Sequence, residues 1–262
     1  MSKSVNFLLV VFLLLSFNPL CGQDSDNPMG KTWVIFVENS NYESFASLEG
    51  PSYDVNLMRS ALTNYKIDKI IHKKDLTKRK IEEFFSEELK SELEANKVNS
   101  LLLWYAGHGK SIHETSYWIP IDAKRDDEHT YFNTTNLKES LLSYTNTVNH
   151  VLVVTDACES GPTFYDAMRS INIDRNCSNV NDAGARSSQV YTSSGYELAV
   201  NNSQFTKAFA TSLINNSSSC LPIENIVIKV NTELVNSNQK KPKFGKIEGL
   251  KDEDGTFFFV GK

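Results

Sequence analysis

Two unbroken apolar runs constrain this chain more than any other feature of its sequence. Leu101-Leu-Leu-Trp-Tyr105 follows Ser100, and Val151-Leu-Val-Val154 lies between His150 and Thr155. Neither alternates with polar residues, so both read as strands buried on two faces, as in a parallel sheet with helices above and below. Each run stops at a short cluster holding one reactive side chain. The first ends in Ala106-Gly-His-Gly109 and the second in Asp156-Ala-Cys-Glu-Ser-Gly161. In open α/β sheets the carboxyl edge of the strands is where ligands bind. If the two strands are neighbours, His108 and Cys158 meet at one edge as a base and a nucleophile.

The rest of the chain fits that scheme. Trp33-Val-Ile-Phe-Val37 is a first buried strand, followed by a polar loop from Glu38 to Pro51. A helix then starts near Asp54, whose carboxylate is placed to accept N–H groups at the helix start. Ile67 to His72 reads as a strand, and Ile81, Phe84, Phe85, Leu89 and Leu93 mark one long amphipathic helix that ends at Asn96. Tyr117 to Asp122, which contains Pro120, is an edge or irregular strand, and the polar stretch 126–135 is loop. Leu137 to Tyr144 is a helix leading into the cysteine strand. Residues 162–188, rich in Asn, Asp and Ser, read as a long surface loop. Strand Gln189 to Ser194, a helix capped by Ser203, a helix over Ile223 to Val235 and a closing strand Thr256 to Val260 complete the pattern. The expectation is an α/β three-layer sandwich, with a mainly parallel sheet of about six strands and helices on both faces.

Three motifs in order, Tyr105-Ala-Gly-His-Gly109, Ile119-Pro-Ile-Asp-Ala123 and Asp156-Ala-Cys-Glu-Ser-Gly161, resemble those of caspase-like cysteine peptidases, on the metacaspase and bacterial side of that family. A histidine about fifty residues before the cysteine is part of a known caspase template. The resemblance runs from about Trp33 to the end of the chain. It implies a caspase-like fold and a cysteine endopeptidase in which His108 and Cys158 are catalytic. The backbone N–H groups of Gly109 and Cys158 would form the oxyanion hole. Asp156 stands where metacaspases carry an aspartate that accepts a basic P1 side chain, and Asp54, in Ser52-Tyr-Asp-Val55, resembles their second pocket acid. Two carboxylates facing one guanidinium favour cleavage after Arg or Lys. Ala106 replaces the serine common before the family's Gly-His-Gly, and Glu159 replaces a common histidine. By the same resemblance the 162–188 loop is a cleavable link, with Arg169, Arg175 and Arg186 as self-processing candidates in a latent precursor. An inactive scaffold domain and a transpeptidase using the same dyad are the alternative readings.

Residues 1–23 read as a signal peptide, with Lys3, the apolar run Phe7 to Leu15 and the breaker Asn18-Pro19. The run is shorter than the roughly 20 residues a spanning helix needs. The expected location is secreted or periplasmic. A lipid anchor at Cys21 is the lesser reading, because bulky Leu20 precedes it. Residues 24–32 form a short leader, and 33–262 a single peptidase domain, consistent with 40% hydrophobic residues in a chain of 262. Of four cysteines, Cys21 falls in the signal peptide, and Cys177 with Cys220 is the one pair that leaves Cys158 free. Either those two form a disulfide or all three thiols stay unpaired. The net charge of −5, with no basic run, argues against nucleic acid as a partner. The expected partners are protein or peptide substrates with a basic P1 residue, and a monomer is expected rather than an obligate dimer. No cofactor is expected: the acidic clusters Asp126 to Glu128 and Asp252 to Asp254 lack the ligand spacing of a calcium loop.

Overall fold

In the computed structural model the described residues are 27–113, 115–157, 174–193 and 203–262, together with the backbone of 165–168. A central seven-stranded sheet organises them. It is built from β1 (Thr32–Glu38), β2 (Lys69–Lys74), β3 (Ser100–Ala106), β7 (His150–Asp156), β8 (Tyr165–Met168), β9 (Ser187–Thr192) and β11 (Lys243–Ile247). Their order across the sheet is β2-β1-β3-β7-β9-β11-β8. The first five run parallel; β11 pairs antiparallel with β9, and the edge strand β8 pairs antiparallel with β11, so β11 alone runs against the rest. The two apolar runs are thus adjacent parallel strands, with Ala106 paired to Asp156 and, on the other side, to Glu38.

Side chains alternate across the strands and divide the core in two. Val34, Phe36, Leu102, Trp104, Leu152 and Val154 pack on one face against α1 (Gly50–Ala61), α6 (Gln204–Ile214) and α7 (Ile223–Asn236). Ile35, Val37, Leu101, Leu103, Tyr105, Val151 and Val153 pack on the other against α2 (Lys78–Glu83), α3 (Leu89–Asn96) and α4 (Thr134–Tyr144). Local chemistry sets the helix ends. The Thr77, Asn133 and Ser203 side chains accept the N–H groups of Lys80, Thr135 and Thr206, and Lys97 closes α3 in the left-handed region at φ 52°.

Several sequence expectations are corrected. Helix α1 begins at Gly50, with Pro51 in its first turn, so Asp54 lies inside the helix and does not cap it. A π turn, Phe84–Glu88, interrupts the long amphipathic helix between α2 and α3. This extra residue per turn lets Phe84 and Phe85 both face the core. The strand expected over Tyr117 to Asp122 is instead β5 (Thr115–Trp118), which forms a hairpin with β4 (Gly109–Ile112), and the stretch expected as loop at 126–135 contributes β6 (Phe132–Asn133) to it. The last strand, β12 (Phe258–Val260), does not close the main sheet; it pairs with β10 (Cys220–Pro222) in a separate ribbon. The strand neighbouring β9 is β11, whose Lys243-Phe-Gly-Lys-Ile247 composition gave little signal.

The later half of the 162–188 stretch is also tied into the fold instead of forming open loop. It contains the short helix α5 (Val180–Gly184), and Cys177 is disulfide-bonded to Cys220 with Cα atoms 6.2 Å apart. The Arg186 guanidinium donates to the Thr145 and Val148 carbonyls at 2.7 and 2.9 Å and to Asn149 Oδ1 at 2.9 Å. Arg175 lies 3.8 Å from the fully buried Glu224 and 3.1 Å from Asp254.

Candidate active site

The carboxyl edge of the central strands presents Glu38, Ala106 and Asp156 in one row. Two residues beyond Ala106, His108 turns off the sheet into a small apolar cluster with Tyr42, Leu48, Ile119, Ala123 and Tyr131, joined by Phe45. The Tyr42 ring lies 4.6 Å from the imidazole and the Phe45 ring 5.7 Å. His108 is 8% exposed, and its Nε2 lies 2.8 Å from the Ala46 carbonyl. A carbonyl only accepts, so Nε2 carries the proton and the neutral ring keeps its lone pair on Nδ1. Burial holds the His108 pKa below the usual imidazole value, and the charge of Arg125 adds to this, against the opposing Ala46 carbonyl. Both effects favour the neutral form of the ring.

The segment carrying these contacts is the stretch read from sequence as a polar loop, and here that reading missed functional residues. Asn39 donates to the Ile119 carbonyl and accepts from the Leu76 N–H, while Asp75 accepts the backbone N–H groups of Ser40 and Asn41. The loop is pinned at its start, the Leu48 N–H donates back to the Ser40 carbonyl, and Tyr42, Phe45 and Ala46 between them reach His108. The available signal was Tyr42 and Phe45, two aromatics among Asn, Ser and Glu.

On the opposite face, strand parity directs Asp156 toward α1 and α6, where it meets Asp54. Asp54 is 5% exposed, and one of its oxygens, Oδ1, is buried with no hydrogen-bond partner among the described residues. Asp156 is half-buried, and its Oδ2 accepts the Thr206 hydroxyl at 2.6 Å. Ser203, at the start of α6, serves both acids: its backbone N–H reaches Asp54 and its hydroxyl reaches Asp156. Burial, followed by the charge of Asp156, pushes the Asp54 pKa up to about 8 against the Ser203 N–H. Burial also raises Asp156, opposed by hydroxyls from Ser203, Thr206 and Ser193. The charge of Asp156 thus adds to burial in opposing ionisation of Asp54.

Gly109 opens β4 and is half-buried. Cys158 lies outside the described residues, two positions beyond Asp156 in the sequence, and so do Arg169 and residues 1–26. Among the described residues no group of three or more His, Cys, Asp or Glu is arranged to hold a metal ion, and no helix is long and apolar enough to cross a membrane.

Comparison with known families decides what this edge belongs to. A model of the caspase domain matches residues 31–250. The chain belongs to the caspase domain family. No curated protein matches it at a significant level. The caspase domain here has the family's α/β sandwich, and membership assigns it to the cysteine peptidases, hydrolases whose substrates are proteins. The strands that precede His108 and Cys158 in the sequence are β3 and β7, side by side in the centre of the sheet.

Proposed function

We propose that this caspase domain is an exported cysteine endopeptidase that cleaves after Arg or Lys. Cys158 is the nucleophile and His108 its base, taking the thiol proton on Nδ1 while the Ala46 carbonyl holds Nε2–H and steadies the imidazolium that forms. The tetrahedral oxyanion is received by the backbone N–H groups of Gly109 and Cys158, and the imidazolium then protonates the leaving amine. Water repeats the sequence to release the acyl group.

The observation that carries the basic P1 preference is the Asp54 carboxyl group, buried near Asp156 with one oxygen that has no hydrogen-bond partner among the described residues. Without a cation that arrangement is unfavourable, and a guanidinium or ammonium entering between the two acids relieves it. An acidic P1 side chain would add negative charge where burial and Asp156 already oppose the ionisation of Asp54. No cofactor enters this scheme. The acids of the 252–254 cluster are engaged otherwise, Asp252 and Asp254 with Lys246 and Asp254 also with Arg175.

Self-processing belongs to the same reading. The Arg175 and Arg186 side chains are engaged in ion pairs and hydrogen bonds, and a cut after either requires its release. Arg169 is the only basic residue in 162–173 and is the favoured site. Residues 1–23 supply the export signal, and the mature protein is secreted or periplasmic. The test is hydrolysis of matched peptides with Arg, Lys, Asp or Asn at P1, by the wild type and by Cys158→Ala, with calcium or with a chelator. Cys158-dependent cleavage after Arg and Lys alone, indifferent to chelation, is expected. Cleavage after Asp or Asn would remove the pocket assignment.

A further inference from the structure

The backbone of His108 is held from both sides by two tyrosine hydroxyls. Its N–H donates to Tyr42 Oη at 2.8 Å. Its carbonyl accepts the Tyr105 hydroxyl at 2.7 Å and the Ile119 N–H at 3.0 Å. The two hydroxyls are also hydrogen-bonded to each other. The preceding residue, Gly107, has no positive φ, so backbone freedom does not explain the absence of a side chain there. Space does. A Cβ on residue 107 would lie 2.7 Å from Tyr42 Oη, 2.9 Å from Tyr105 Oη and 3.2 Å from the Asn39 carbonyl.

We propose that Tyr42 is a positioning residue for the catalytic base, and that position 107 is glycine because the Tyr42 and Tyr105 hydroxyls fill the volume of its side chain. This rests on the reading of His108 as the base. The same Tyr42 that binds the His108 N–H also packs its ring against the imidazole, with centroids 4.6 Å apart and planes tilted by 56°, so one side chain contacts both the peptide and the ring of that residue. The Tyr42 backbone gains its own rigidity from its neighbours: Asp75 accepts from the Asn41 side chain at 2.6 Å and from its N–H at 3.0 Å, and the Glu43 N–H donates to the Ile121 carbonyl at 2.9 Å. Tyr42→Phe keeps the ring and removes the acceptor. The buried N–H of His108 then has to find another partner, which tilts the 107–108 peptide and swings the imidazole away from the thiol.

Misplacing a catalytic group by about 1 Å costs up to roughly 100-fold in rate. Tyr42→Phe is expected to lower kcat by about 10- to 100-fold while KM changes by less than about two-fold, since the P1 pocket lies on the other face of the sheet. Gly107→Ala alone is expected to lose more. The deciding comparison is the double variant. With the Tyr42 hydroxyl gone, the alanine methyl loses its closest clash, so Gly107→Ala/Tyr42→Phe should be more active than Gly107→Ala, whereas unrelated structural lesions would compound. A second readout does not depend on turnover. The imidazole nitrogen chemical shifts of resting wild type should report proton on Nε2 and lone pair on Nδ1, and Tyr42→Phe should shift them toward averaged tautomers.

An unchanged kcat and unchanged imidazole shifts in Tyr42→Phe would overturn the proposal. So would a Gly107→Ala defect that is equal or worse in the Tyr42→Phe background. If Gly107→Ala does not fold, kinetics and imidazole shifts of Tyr42→Phe decide alone. If the wild type cleaves no basic-P1 peptide, the proposed function fails, and the imidazole comparison still decides the positioning role.

Discussion

Asp54→Asn should make this protein more stable and less active, and the stability gain should depend on pH in a defined way. Asp54 shifts from an ordinary 3.8 to about 8 on folding because burial and the neighbouring Asp156 oppose its ionisation. A folded-state pKa above the unfolded value means that the stabilising form is the protonated one. Its contribution is complete below about pH 4, falls as pH rises, and is lost once pH passes about 8. About four pH units at 1.36 kcal/mol each set a ceiling of roughly 6 kcal/mol. The effective dielectric response of real buried sites reduces such ceilings severalfold, so about 2 kcal/mol is the expected gain for the uncharged asparagine near pH 9. In a domain of this size that is roughly 4–8 °C in Tm. Thermal unfolding of both proteins from about pH 4 to about pH 9 is the assay, paired with kcat/KM on a P1-Arg peptide. The melting curves should converge at the acid end and diverge at the alkaline end, with activity of the variant reduced throughout. Parallel pH profiles, or an asparagine variant less stable than wild type near pH 9, would refute the reasoning.

Other consequences follow from the same contacts. Phe45→Ala uncovers one side of the His108 ring, and less burial means a His108 pKa nearer 6.5, so the acid limb of the kcat/KM profile should move to higher pH. Thr206→Val removes the hydroxyl donated to Asp156 and should lower kcat/KM for P1-Arg peptides by about 5- to 30-fold, mostly through KM, as loss of a charge-assisted hydrogen bond does. Arg175→Ala removes the positive charge 3.8 Å from the fully buried Glu224, leaving it the hydrogen bonds from Gln189 and Thr256, and should cost up to about 3 kcal/mol in denaturant unfolding, where Glu224→Gln in the same background should restore part of the loss. Arg175→Ala and Arg186→Ala together should leave the position of self-processing unchanged by mass spectrometry; loss of processing with the protein still folded would move the cut away from Arg169.

What was legible in the sequence was whatever period and order could carry. Leu101 to Tyr105 and Val151 to Val154 could be read as buried strands because a parallel strand covered on both faces has no polar alternation. Their adjacency followed from the matched Gly-His-Gly and Asp-Ala-Cys clusters at their ends. Asp54 was singled out through a resemblance to a pocket acid, but its placement at a helix start was wrong because Gly50 and Pro51 already begin the helix. Partners brought together across the chain were not legible. Ala46 acts through a backbone carbonyl, which no side-chain pattern can mark. Tyr42 is far from His108 in sequence, and the contact depends on a loop pinned by Asp75 and Asn39. The 174–188 stretch lacks periodicity because its order comes from Arg175, Cys177 and Arg186 reaching other segments, not from an apolar face of its own.

The most direct test of the central claim is covalent capture of the nucleophile by peptide electrophiles that differ only at P1. Wild type, Cys158→Ala, His108→Ala and Asp156→Asn would each be treated with an Arg-bearing and an Asp-bearing acyloxymethyl ketone and analysed by intact mass and peptide mapping. The account predicts one adduct, on Cys158, formed rapidly with the Arg probe, slowed strongly in His108→Ala and Asp156→Asn, and absent in Cys158→Ala. Labelling of Cys158 by the Asp probe at a comparable rate, or labelling that does not depend on Cys158, would contradict it.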